Sequence, residues 1–208
     1  MRKHLLAGAA LAAALLVTNS ASAAIVFFSG FETPNIPSNT WSVFASADGW
    51  TKLSGAGIEI QDHVAGNPAA GGGGQFVELD SNNNSSMGRV IAAAGSYSLD
   101  FLYSPRPGVG LASNVINVYL DAVLLTSITG IGGGSTNWTA QNVTFSSLAG
   151  QTLIFAAAGT NDSLGGYIDN IQLSTGAVPE PATWAMMITG FGMAGTVLRR
   201  RLMVAAAI

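Results

Sequence analysis

Tyr97-Ser98-Leu99-Asp100-Phe101-Leu102-Tyr103 places Tyr97, Leu99, Phe101 and Tyr103 on one side of an extended chain and Ser98 and Asp100 on the other. Successive side chains of a strand point to opposite faces, so the alternation reads as a strand with one face on a core and one toward solvent. The segments 25–31, 58–61, 75–80, 115–120, 123–127, 142–145, 152–157 and 167–173 are likewise apolar or alternating over strand length, and Gly, Pro and Asn clusters separate them. Asp121-Ala122, flanked by Tyr119-Leu120 and Val123-Leu124, reads as a two-residue hairpin. No helical period interrupts these segments. The expected fold class is therefore all-β, an antiparallel β-sandwich or jelly roll, with helices only at the two ends of the chain.

Both ends carry signals. Met1-Arg2-Lys3-His4 is a short basic region, residues 5–17 are apolar and built of Leu and Ala, and Ala21-Ser22-Ala23 is a small-residue cleavage site that would start the mature chain at Ala24. That order of charge, apolar run and A-x-A site predicts a signal peptide over 1–23 and export from the cytoplasm. At the other end, Pro179-Glu180-Pro181 is followed by Trp184, by an apolar run through Met186, Met187, Ile188, Phe191, Met193 and Val197, and by Arg199-Arg200-Arg201. Residues 184–198 would give about 22 Å of helix at ~1.5 Å per residue, short of the ~30 Å hydrocarbon core. Extending the segment to about 182–198 and letting the arginines snorkel brings it nearer to a span, with 199–201 as a basic stop on the cytoplasmic side. A glycolipid-anchor signal is the rival reading, with small residues at 174–177, but its spacer is too short and its tail should not end in arginines.

These residues carry a resemblance. The tail resembles the PEP-CTERM sorting signal in its Trp-Ala variant: Pro179, Glu180, Pro181, Trp184, Gly190, Phe191, Gly192 and the three arginines match its pattern. The resemblance implies recognition by an exosortase-type membrane enzyme and an inner-membrane-tethered precursor. The destination it implies is the cell surface or extracellular matrix of a Gram-negative bacterium that makes exopolysaccharide.

Composition bounds the 24–178 body. It holds Lys52, Arg89 and Arg106 against ten carboxylates, a formal charge of −7. Nucleic acid and anionic lipid both require clustered cations, so neither is expected as a partner of this body. The chain has no cysteine, which excludes disulfides, thiol catalysis and Cys-ligated zinc. One domain over 24–175 can bury enough surface to stand without such staples, leaving 176–208 as the sorting tail.

A second resemblance spans most of 25–174. Gly30-Phe31-Glu32, Gly57-Ile58-Glu59, Gln75-Phe76-Val77-Glu78-Leu79-Asp80, Trp138 and the closing Ile168-Asp169-Asn170-Ile171 look like secreted galactose-binding-like jelly rolls. The resemblance implies a structural calcium near the paired first and last strands, with Glu32 and Asp169 as matching carboxylates and Asn170 beside the second. Calcium takes six to eight oxygens, so backbone carbonyls or waters would complete the set. Turn capping by Glu32 and strand hydrogen bonding by Asp169 are the bland alternatives.

Other chemistry is thinner. Glu78 and Asp80 share a strand face and Glu59 would lie on a neighbouring strand, which gives a glycosidase-like carboxylate pair as the alternative function. His63, beside Asp62, is the single histidine of the body, and no Gly-x-Ser-x-Gly elbow accompanies it. The Gly71–Gly74 run lacks a following Lys-Ser/Thr and reads as a flexible turn rather than a phosphate loop. Trp41 and Trp50 are expected in the core; Trp138, with Asp80 and Arg106 to bind hydroxyls, is the candidate sugar platform. The sequence thus reads as an exported, non-enzymatic structural or adhesive protein that binds polysaccharide, with calcium as its one candidate cofactor.

Overall fold

The computed structural model describes residues 23–176, 186–193 and 195. The chain divides into two units, and one of them, Ala23–Gly176, holds all the described strands. In chain order these are β1 (Ile25–Ser29), β2 (Thr40–Phe44), β3 (Ser46–Ala47), β4 (Trp50–Ser54), β5 (Ile58–Asp62), β6 (Phe76–Glu78), β7 (Ser86–Val90), β8 (Gly95–Ser104), β9 (Ile116–Leu120), β10 (Val123–Ile128), β11 (Thr139–Ser147), β12 (Thr152–Ala157) and β13 (Tyr167–Thr175). One sheet has the order β11-β8-β13-β6-β5-β2, with β1 also paired to β13; the other runs β10-β9-β12-β7-β4-β3. Every described pairing is antiparallel. The sandwich is the fold the alternation predicts.

Tyr97, Leu99, Phe101 and Tyr103 are all buried, while Ser98 and Asp100 point to the outer face of the first sheet. Asp121-Ala122 links β9 to β10, with Leu120 opposite Val123. Asp121 takes a φ of 51°, in the left-handed region that such tight links use. Four strands, β2, β3, β4 and β7, were not read from the sequence. β7 contains Gly88 and β3 is two residues long, so neither offers a pattern to read.

The core between the sheets centres on Trp50, which is fully buried. Its ring meets Phe27 edge-on at 5.8 Å and Phe155 at 5.5 Å, and Phe155 meets Phe101 at 5.0 Å. Edge-to-face pairs of this kind contribute about 0.5–1.5 kcal/mol each beyond burial. The indole N–H of Trp50 donates to Ser29 Oγ at 3.0 Å, so the one polar atom of the ring is satisfied inside the core. Trp41 corrects the expectation that both early tryptophans are core residues: it is 50% exposed. It sits on β2, the edge strand, opposite Gln61, which places it on the outer face of the sheet.

β13 organises the remainder. On one side it pairs with β8; on the other it pairs first with β6, through Tyr167 and Ile168, and then with β1, from Ile171 onward. Asp169 and Asn170 fall in the gap between those two partners, at an irregularity in the β8 register, and Asn170 has a φ of 50°. Irregularities of this type redirect side chains and recur beside functional sites.

In the second unit, residues 186–193 are helical. Among the described residues no helix is long and apolar enough to cross a membrane. The signal-peptide helix, Ala21, Pro179, Glu180, Pro181, Trp184, the ends of the 182–198 segment and Arg199 to Arg201 lie outside the described residues.

Candidate functional site

The gap in β13 gathers oxygen atoms. Asp169 is fully buried; its Oδ1 accepts the backbone N–H of Asn170 at 2.7 Å, and its Oδ2 accepts no hydrogen bond among the described residues. Burial pushes this carboxyl up to about 8 from an ordinary 3.8, and the neighbouring negative charge of Glu32 adds to the rise. Asn170 Oδ1 is a second buried acceptor without a partner among those residues. Glu32 reaches the same gap from the end of β1, and its Oε1 accepts the backbone N–H groups of Gly74 and Gln75 at 3.0 and 2.9 Å.

The Gly71–Gly74 run closes the gap from above, and here the structure replaces the flexible-turn expectation with a definite role. A side chain at Gly72 would run into Asp169 Oδ2, and one at Gly73, whose φ is +98°, would run into Glu32. The Gly72 carbonyl oxygen and Asn170 Oδ1 each lie 3.5 Å from where a Cβ of Gly30 would stand. Glycines at 72 and 73 therefore let one backbone segment close on two carboxylates. A cavity of about 390 Å³ opens beside them, lined by Phe28, Gly30, Glu32, Asp48 and Gly71 to Gly73.

An unpartnered buried carboxylate oxygen, a second carboxylate and a nearby carbonyl, with no Lys, Arg or His among the residues lining the cavity, suit a hard divalent cation. Among the described residues no three His, Cys, Asp or Glu side chains group as metal ligands. A cation here would draw on Glu32, Asp169 and neutral oxygens, a donor set that fits calcium and not zinc.

The other sequence-read carboxylates lie elsewhere, on the outer face of β5 and β6. Glu59 stands opposite Glu78, as expected, but Glu78 and Asp80 are fully buried and Glu59 is 5% exposed. Glu78 accepts hydrogen bonds from Arg106 Nη1 to both oxygens at 2.7 Å, from Gln61 Nε2 and from the Gly165 backbone N–H. Burial pushes Glu78 up to about 8 against the pull of Arg106. Asp80 accepts from the backbone N–H of Asp162 at 3.3 Å. These groups fasten the 105–114 and 162–166 loops to the sheet and present no open carboxylate pair. Trp138 is half-buried, donates its indole N–H to Asn67 O at 2.9 Å and meets Phe76 edge-on at 5.8 Å. Trp138 and Arg106 thus spend their binding groups internally. His63 is exposed, with Nδ1 2.6 Å from Asp62 Oδ1.

Sequence reasoning missed the open part of the same sheet. Phe28, Gln172, Asp100 and Asn142 stand in register across β1, β13, β8 and β11. They line a groove of about 340 Å³ that also meets Leu102 and Asn170. Its one sequence signal was the outward-facing Asp100.

The chain carries the PEP-CTERM protein-sorting motif at residues 177–201. No curated protein matches the sequence. Among solved structures, the K2 cleaved adhesin domain of Lys-gingipain aligns with a TM-score of 0.51 at 16% identity, over 72% of this chain and 98% of that one. The CBM22-1 xylan-binding domain from Paenibacillus barcinonensis gives 0.48 at 14% identity, over 74% and 96%. A family 35 carbohydrate-binding module from Clostridium thermocellum gives 0.38 at 16%, over 64% and 90%. The likeness is one of fold, the jelly roll.

Proposed function

We propose that this exported protein is a non-enzymatic component of the cell envelope or extracellular matrix, structural or adhesive, whose jelly-roll body is closed by calcium and binds extracellular polysaccharide. The observation that carries the reading is the Asp169 carboxylate, buried with one oxygen unpartnered between β1 and β6 and facing Gly72 and Glu32. A divalent cation offsets the cost of burying that charge and ties the first strand to the last. The sorting motif at 177–201 supports delivery through an exosortase-type enzyme, with the tail as a transient membrane anchor. The commitment of Glu78, Asp80 and Arg106 to loop anchoring supports a binding role over a catalytic one.

The experiment is a thermal melt of the full chain in mild detergent, with calcium and with chelator. Calcium should raise the midpoint, and Asp169→Ala or Glu32→Ala should abolish the rise. A melt indifferent to calcium in the unsubstituted protein rejects the cation.

A further inference from the structure

We infer that the outer face of β1, β13, β8 and β11 is a binding site for an extended, neutral polysaccharide chain, with Phe28 as its stacking platform and Gln172, Asp100 and Asn142 as its hydrogen-bonding row. The inference rests on the polysaccharide-binding reading above and deepens it by naming the place and the class of sugar.

Exposure, register and side-chain orientation carry it first. Phe28 is 54% exposed although it sits on a strand, an apolar ring turned toward solvent at the edge of a groove. A pyranose offers an apolar C–H face that such a ring complements, as aromatic platforms do elsewhere. Beside it, Gln172, Asp100 and Asn142 continue the same row at ~4.8 Å per strand, so the row extends roughly 14 Å, room for several sugar units. Their polar groups are already oriented: Asn142 Nδ2 donates to Asp100 Oδ1 at 2.6 Å and to Ser98 Oγ at 2.9 Å. A preset row loses little rotamer freedom on binding.

The groove does not stop there. A second concavity of about 380 Å³, lined by Ser96, Ser98, Thr144 and Ser146, continues along the outer face of β8 and β11. Amide side chains, Gln141, Asn142, Asn170 and Gln172, line the first part and short hydroxyls the second, in both cases among apolar neighbours such as Leu102 and Phe145. The shape is an open, elongated strip, which suits the interior of a long chain rather than a single terminal sugar.

Charge selects the class of sugar. Neither concavity has a Lys, Arg or His among its lining residues, and the first holds the Asp100 carboxylate. The body as a whole carries −7. A uronic-acid or sulfated polymer would meet like charge with no cationic side chain in the groove to offset it, so the strip favours uncharged glycans.

The test is affinity electrophoresis of the full chain in mild detergent through gels containing soluble xylan, mixed-linkage β-glucan, galactomannan or dextran, with alginate as the anionic counterpart. At least one neutral polymer should retard the protein and alginate should not. Phe28→Ala and Asn142→Ala should each weaken the retardation about tenfold or more and Phe28→Tyr should keep it, while the calcium-dependent melt should stay unchanged in Asn142→Ala, whose side chain lies outside the cavity beside Glu32. Retardation by a neutral polymer that survives Phe28→Ala puts the sugar elsewhere and overturns the site while leaving the polysaccharide reading intact. Retardation by alginate equal to that by neutral polymers overturns the charge argument. A calcium shift with no retardation by any member of the panel overturns the groove and leaves the cation reading standing.

Discussion

Gly72 and Asp169 are seen in the sequence as a glycine in a run of four and an acid in a closing strand, yet their effect is joint. The backbone at 72 can approach Asp169 Oδ2 only because no Cβ stands between them. Gly72→Ala should therefore lower the melting midpoint of the chelated protein, because the added Cβ crowds the buried Asp169 carboxylate, and should also remove the calcium-dependent rise; differential scanning fluorimetry with calcium and with chelator reads both effects. Asp169 also sets a pH dependence. Its folded carboxyl is raised to about 8, so between about pH 4 and pH 8 the folded state holds a proton that the unfolded state has released. Without metal, stability should fall as pH rises through that window, since the state with more bound protons loses ground. Glu78, also raised to about 8, contributes in the same direction, so Asp169→Asn should flatten the chelated profile only in part. Calcium, which needs the ionised carboxylate, should give its largest shift at the upper end. Glu32 and Asp169 were legible in the sequence through their resemblance to a known pattern, whereas the unpartnered oxygen was not, because it depends on where β6 ends and β1 begins along β13.

At the scale of elements, alternation was informative wherever one face was buried and the other open. Strand β8 reads directly, with its burial alternating along the chain, and β13 follows it. Strand β5 is buried on both faces, and its Glu59 and Gln61 look in the sequence like a solvated side. What hides them is the covering of loops fixed by Arg106, a contact 28 residues distant from Glu78 that no local pattern encodes. The same covering explains why Glu78 and Asp80 were read as a surface pair. It also yields a measurable cost: above about pH 8, where Glu78 is ionised, Arg106→Leu leaves its carboxylate buried without its cation and should destabilise the protein by roughly 3 kcal/mol or more, and by less at lower pH, where the carboxyl takes up a proton. Combining it with Glu78→Leu should recover much of that loss, because the unpaired charge is then gone. Chemical denaturation of the two variants, read as midpoint and slope, separates those outcomes.

For the whole molecule, the two ends of the body meet. The backbone N–H of Thr175 donates to Ala24 O at 2.8 Å, and Ala24 N donates to Thr175 Oγ1 at 3.0 Å, so the residue that follows the expected signal cleavage is paired with the last strand before the tail. The core members lie within the Ala23–Gly176 unit, and the sorting motif begins at 177, directly after Gly176 donates to Ser96 O. The described core members thus all lie between the two expected processing points, and the pairing of Ala24 with Thr175 keeps β1 beside β13 at the tail end. A chain ending at Gly176 should for that reason melt within about 2 °C of the full chain, with the same calcium shift, since by the usual scaling a loss of 1 kcal/mol moves a domain of this size by roughly 2–4 °C. In cells the same independence predicts a clean separation of sorting from folding. Glu180→Ala within the Pro-Glu-Pro segment should leave the chain at its precursor size in the membrane fraction on an immunoblot, while its calcium-dependent melt after detergent extraction matches that of the unsubstituted protein. A loss of the melt in that variant would mean that the tail supports the body, and the division of labour between address and binding surface would fail.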